Sequence, residues 1–122
     1  EKYYWEDLGL RNSLIGYKAA EIGQIMENLV FSHLLRLNFK IHIGQLEEKE
    51  IDFVAEKDGR KIYVQVAYLI SDKTTRDREF GNLLAIPDNY QKIVVSMDKL
   101  IGSDYQGIQH RQIIDFLQDD NL

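Results

Sequence analysis

Two residues in the middle of the 122-residue chain have types that could do chemistry and a spacing that brings them together. The stretch EIDFVAEKDGRKIYVQVAYLI, from Glu50 to Ile70, reads as two strands joined at Asp58-Gly59. Asp-Gly between alternating apolar runs is the strongest short-range hairpin signal, because a type I′ turn needs φ > 0 at both central residues. A two-residue loop pairs Lys57 with Arg60, Val54 with Tyr63 and Asp52 with Gln65. Opposed side chains share a face and lie about 5 Å apart at Cβ. A four-residue loop keeps this register, whereas an odd loop or a bulge breaks it.

A third polar group can join them. Ile22, Met26, Leu29, Val30, His33, Leu34 and Leu37 follow the 3, 4, 3 spacing of a helix face over Ala19 to Asn38, and Glu27 falls on the edge of that stripe. A helix carboxylate, a strand carboxylate and an amide oxygen are hard oxygen ligands. They suit Mg2+ or Mn2+, which keeps several waters and takes one or two carboxylates, and which can activate water and stabilise a phosphoryl transition state. The plainer alternatives are structural. Glu27 would be a solvated boundary residue. Asp52 would cap a turn or pair with Arg60, Lys61 or an arginine of the next helix. Gln65 would satisfy Asp52 or a backbone group inside the sheet. His33, with no second histidine close in sequence, reads as a hydrogen-bonded core residue.

The elements that must position these groups follow in order. Tyr3, Tyr4 and Trp5 favour an opening strand, and Asp7 with Gly9 a bend. After the helix, Lys40 to Leu46 alternates as a strand, and then comes the hairpin. Its second strand is apolar on both faces, which predicts a central position in the sheet. Thr74 to Ile86 predicts a helix capped by Thr74 or Thr75, packed through Phe80, Leu83 and Leu84 and ended by Pro87-Asp88-Asn89. Lys92 to Met97 is a short strand, Gly102 to Gln109 a loop, with or without a brief strand at its end, and Ile113, Ile114, Phe116 and Leu117 form a closing amphipathic helix or turn. The order is strand, helix, three strands, helix, strand, helix, an α/β layered plan.

Composition narrows the class. Hydrophobic residues make up 44% and charged residues 29%, as in a globular domain, and the length suits one domain with a real core. Without cysteine there is no disulfide or thiolate metal site, and a cytoplasmic compartment is the expectation. No apolar run reaches the length of a membrane span, and the first residues are not a signal peptide. A net charge of −5 argues against broad, sequence-independent binding to nucleic acid but leaves room for a local basic patch. The opening EKYYWEDLGL, without Met, reads as a piece cut from a longer polypeptide.

With those motifs in place, the chain resembles the PD-(D/E)XK nuclease-like superfamily. More closely, it resembles the domain at the C-terminus of a large group of bacterial and archaeal AAA+ ATPases. The matching stretches are DLGLRNSLIG, GQIMENLVFSHLL, EIDFVAEKDGRKIYVQVAY, REFGNLL, and IPDNYQKIVVSMD followed by GIQHRQIIDFL, together almost the whole chain. The resemblance implies a restriction-endonuclease-like three-layer fold: a central mixed sheet that contains an antiparallel hairpin, with helices on both sides. It implies a single domain over residues 1–122, attached in cis to an ATPase domain. The family's helix acid maps to Glu27, its strand aspartate to Asp52, and its Glu-X-Lys to Gln65-Val66-Ala67.

The departures bear on function. Gln65 is neutral, and Ala67 offers nothing in place of a lysine that positions water or stabilises developing charge. Lys61 lies about 13 Å along the same strand from Gln65, too far to substitute. Lys73 and Arg78 follow the strand and could reach back. The favoured expectation is a degenerate domain without hydrolytic activity, which binds DNA or a protein partner for the ATPase. Lys73, Arg76 and Arg78 are its candidate nucleic-acid contacts, joined by Lys92 or Arg111. The alternatives are an active Mg2+-dependent nuclease with a relocated lysine, and a purely structural domain that docks through its aromatic N-terminal strand or self-associates. The phosphate-binding motif GxxxxGK[ST] is absent, so ATP binding by that route is not expected.

Overall fold

The computed structural model describes residues 16–46, 49–70, 72–98 and 104–122. The predicted opening strand lies outside them. In chain order the described elements are α1 (Ala19–Arg36), β1 (Lys40–Leu46), β2 (Lys49–Lys57), β3 (Arg60–Val66), α2 (Lys73–Leu84), β4 (Gln91–Ser96), β5 (Asp104–Tyr105), β6 (Ile108–Gln112) and α3 (Ile113–Gln118). The strands form one sheet in the order β1-β2-β3-β4-β6-β5. β1, β2 and β3 run antiparallel, β3-β4 and β4-β6 are parallel, and β5-β6 is antiparallel, so the sheet is mixed.

The helices divide between the two faces because the strands alternate. Ala55, Ile62, Val64, Val66, Ile93 and Val95 point to one face and pack with Ile22, Met26, Val30 and Leu34 of α1 and Ile113 and Phe116 of α3. Val54, Tyr63, Val94 and Ile108 point to the other and pack with Phe80 and Leu83 of α2. β3 is central and is buried from Ile62 to Val66, as its two-sided apolar pattern requires. The α1 face matches its sequence pattern. His33 is buried, with Nε2 3.0 Å from the Asp119 carbonyl oxygen and Nδ1 3.0 Å from Arg36 Nη2.

Two expectations are corrected. The α2 cap is Asp72, whose Oδ2 accepts from the Thr75 amide at 3.1 Å, so neither Thr74 nor Thr75 is the cap. Thr75 already lies inside the helix, and its hydroxyl faces the same carboxylate at 3.3 Å. The stretch expected to be a loop up to Gln109 ends in a β5-β6 hairpin, with Gln106 and Gly107 both at positive φ (53° and 89°). β6 continues to Gln112 and extends the sheet beyond β4.

Candidate functional site

The β2-β3 hairpin closes as its sequence dictates. Asp58 and Gly59 have φ of 53° and 80°, and Lys57 pairs with Arg60. The backbone ladder runs from that pair to Phe53 opposite Val64. Beyond it the two strands are joined by side chains. Gln65 Oε1 accepts from the Asp52 amide at 2.9 Å, and Asp52 Oδ2 accepts from the Val66 amide at 2.8 Å. Asp52 and Gln65 are therefore brought together, each held by the other strand's end.

A bulge sets the geometry at Asp52. On β1, His42 pairs with Val54, and two residues later Gly44 pairs with Ile51, three residues from Val54 on β2. The extra β2 residue turns Ile51 and Val54 to the same face, where both join the α2 core. Both also crowd onto Gly44. A Cβ there would lie 2.7 Å from Val54 Cγ2 and 2.9 Å from Ile51 Cβ. Glycine is what allows the bulge to close at this point, and the bulge sets the backbone from which Asp52 projects.

Asp52 gathers acids from three elements. Burial, with smaller contributions from Glu27, Glu79 and Glu50, raises its carboxyl to about 6, against the opposing effect of the bond from the Val66 amide. Glu27 is half-buried on α1, and its carboxyl is raised by burial and by Glu50 and Glu79. The charged neighbours that act most strongly on Asp52 are all acids. Glu79 on α2 was missed in the sequence reading, although it opens the stretch EFGNLL. Its position four residues before buried Leu83 puts it on the edge of that helix's inward face. Glu50, two residues before Asp52, was also missed.

Among the described residues, none of the cations considered for the site bonds to Asp52 or Gln65, and one of them, Arg78, offsets the charge of Glu79. Lys61 sits 3.9 Å from Glu56 and its Nζ lies 5.2 Å from the Tyr90 ring centre. Lys73 pairs with Asp77 at 2.9 Å, and Arg78 with Glu79 at 3.4 Å. Arg76 is half-buried, and its Nε has no hydrogen-bond partner among the described residues. Lys92 is withdrawn from any surface patch: its ammonium is largely buried and bonded to Asp88 Oδ1 and the Asp88 and Tyr90 carbonyls. Arg111 is held by Asp119 and Gln109. Ala67 is half-buried against the α2 core, with its amide bonded to the Val95 carbonyl at 3.0 Å.

The donor set does not form a ready cage for a metal ion. Gln65 Oε1 and Asp52 Oδ2 already accept backbone N–H groups, and among the described residues no three His, Cys, Asp or Glu side chains converge at ligating distance. What the arrangement provides is a concentration of negative charge around one half-buried carboxyl.

A second polar cluster lies between β4 and β6. Ser96 Oγ and His110 Nε2 are 2.7 Å apart, and the Asp98 amide donates to Ser96 Oγ at 3.1 Å. Burial holds the His110 imidazole below its ordinary pKa, against the pull of Asp98. The spacing is that of a nucleophile and its base. Ser96 is completely buried, however, so the pair serves to satisfy polar groups inside the sheet.

The fold and this site define an α/β domain with a mixed sheet between helix layers and an acidic cluster at the open end of a central hairpin. No family model matches the chain. A protein of Haemophilus influenzae, described as an uncharacterized protein, is 40% identical to it over 116 residues, which is 95% of this chain and 28% of that protein. The chain thus spans little more than a quarter of that relative's length.

Proposed function

We propose that this chain is a restriction-endonuclease-like domain of an AAA+ ATPase that keeps the frame of a metal-dependent nuclease site without its hydrolytic apparatus. In this reading it acts as a non-catalytic module that binds DNA or a protein partner. The observation that carries it is the closure of Asp52 and Gln65 by crossed side-chain bonds, with Ala67 two residues further on where the nuclease pattern has lysine. The groups that would ligate and activate are instead used to hold two strand ends together. A fold can persist after its chemistry has been lost.

The test is incubation of the chain with plasmid DNA and Mg2+ or Mn2+, together with a manganese titration followed by paramagnetic broadening at Glu27, Asp52 and Gln65. The expected result is no cleavage and no broadening centred on Asp52. A second reading, an active metal-dependent nuclease, draws on the coupled acids Glu27, Glu50, Asp52 and Glu79. Metal-dependent cleavage that disappears in Asp52→Ala would establish that reading and overturn the first.

A further inference from the structure

β1 is the outermost strand of the sheet, and among the described residues it pairs only with β2. The opposite edge is β5, which is two residues long, whereas β1 has seven. Natural edge strands are kept from pairing by shortness, by charge, by proline or by a bulge. The middle of β1 has none of these. No Asp, Glu, Lys, Arg or Pro stands between Lys40 and Glu47. The extra residue of the bulge lies on β2, so β1 keeps its own alternation.

That alternation decides what the edge presents. Ile41 pairs with Ala55 and faces the side covered by α1, whereas His42 and Gly44 pair with Val54 and Ile51 and face the side covered by α2. Ile43 stands between the last two and so faces the α1 side with Ile41. It is 63% exposed, more than any other large hydrophobic residue among those described. On the same side, half-buried Phe53 has its ring 5.9 Å from that of Phe31, which is 40% exposed, and exposed Leu35 follows one turn along α1. The outer edge of β1 thus runs beside an apolar step made by Ile43, Phe53 and Phe31.

We propose that β1 pairs with β1 of a second copy of this chain, antiparallel and about a two-fold axis at His42, so that two six-stranded sheets join into one. This register sets Ile41 of each copy opposite Ile43 of the other, His42 opposite His42, and Lys40 opposite Gly44. The axis is perpendicular to the sheet, so α1 of both copies lies on the same side, and Ile41 and Ile43 of both copies share that face. Cross-strand pairs of β-branched side chains stabilise an antiparallel ladder. The two Lys40 side chains stay apart, because four residues along a strand span about 13 Å. A second copy fits this edge because the strand is its own complement: read in the opposite direction, the same alternation matches isoleucine to isoleucine and brings no like charges together. The two-residue β5 offers no comparable edge, so the contact is isologous and closes at two copies.

The test is sedimentation velocity of the full 122-residue chain. A contact of one strand pair and its flanks is at the small end of specific interfaces, so the series should run from about 10 to about 500 µM. The sedimentation coefficient should rise to that of a dimer and no further. Ile43→Lys should keep the chain monomeric throughout, because a charge in the middle of an edge strand blocks pairing. Leu84→Lys, at an exposed position on α2, should dimerise as the native chain does. The register is read by crosslinking, since the chain has no cysteine of its own. With oxidised glutathione, His42→Cys should form a covalent dimer at least about tenfold faster than Lys40→Cys, because directly opposed Cα atoms lie within disulfide reach and those of Lys40 do not. This arm stands even if Ile43→Lys fails to fold. A monomer at every concentration, which would leave the edge to a strand of another protein, overturns the proposal. So does an Ile43→Lys variant that dimerises like the native chain, a Leu84→Lys variant that does not dimerise, or a Lys40→Cys variant that crosslinks as fast as His42→Cys. The manganese and cleavage experiments touch none of these residues, so either reading can fail while the other stands.

Discussion

Asp52 and Gln65 hold each other through crossed bonds: the Gln65 amide oxygen takes the Asp52 N–H at 2.9 Å, and the Asp52 carboxylate takes the N–H of Val66, the residue after Gln65, at 2.8 Å. The backbone ladder between β2 and β3 has stopped one pair earlier, at Phe53 and Val64. Side chains therefore complete the hairpin where the main chain no longer does. Gln65 is buried, so bulk solvent does not reach its position. Gln65→Ala is expected to destabilise the chain by about 1–3 kcal/mol, read from urea unfolding, because the Asp52 N–H is orphaned and a void is left. An unchanged midpoint would show that the crossed bonds carry no stability.

Asp52 also makes stability depend on pH. Its carboxyl lies at about 6 in the fold, against 3.8 for an unperturbed aspartate. A raised acid favours the folded state when protonated. The contribution is complete below about pH 4 and is lost as pH rises through 6. The raw shift is discounted because the side chain is only half-buried, leaving about 1–2 kcal/mol. Stability should fall by that amount between pH 3.5 and pH 7.5, and Asp52→Asn should flatten the slope while its amide oxygen still accepts from Val66. A slope that survives in Asp52→Asn would assign the titration to another group.

Gly44 is expected to resist substitution. A methyl group there meets Val54 Cγ2 at 2.7 Å and Ile51 Cβ at 2.9 Å, and Cβ of Ile51 is fixed by its backbone. Gly44→Ala should cost about 1–3 kcal/mol, the range for overpacking. A cycle with Val54→Ala should show coupling, with the second substitution relieving part of the first. Simple additivity in thermal melts would mean that the bulge relaxes without strain.

Ala67 tests the electrostatics of the acidic cluster directly. On the alternation of β3 it shares a face with Gln65. Ala67→Lys should bring the Asp52 carboxyl down from about 6 toward the usual carboxylate range, because an ammonium near a carboxylate favours its charged form. Carboxyl chemical shifts followed through an NMR pH titration measure this. A midpoint unchanged from the native chain would place the new ammonium out of reach.

The parts legible in the sequence were those set by local rules. Asp58-Gly59 fixed the turn and hence the register from Lys57–Arg60 to Phe53–Val64, and the 3, 4, 3 spacing gave the buried face of α1. β6 was hidden because IQHRQ turns only Ile108 and His110 inward, and because Gln-Gly is a weaker turn signal than Asp-Gly. The α2 cap was misplaced because Asp72 and both threonines are good caps, and only the start of the helix at Lys73 decides among them. The bulge opposite Gly44 and the approach of Glu79 to Asp52 depend on how separate elements pack, which no window of sequence contains.

The hairpin carries acids at its open end, around Asp52, and an excess of cations at its turn, around Lys57 and Arg60. These two poles, about 17 Å apart, make the domain an electric dipole along one structural axis. A charged partner then meets a torque before it meets a surface, and the domain is turned to present one end or the other. Ionic strength should therefore act first on the rate of encounter, since a Debye length of about 8 Å in physiological salt is shorter than the dipole and screens one pole from the other.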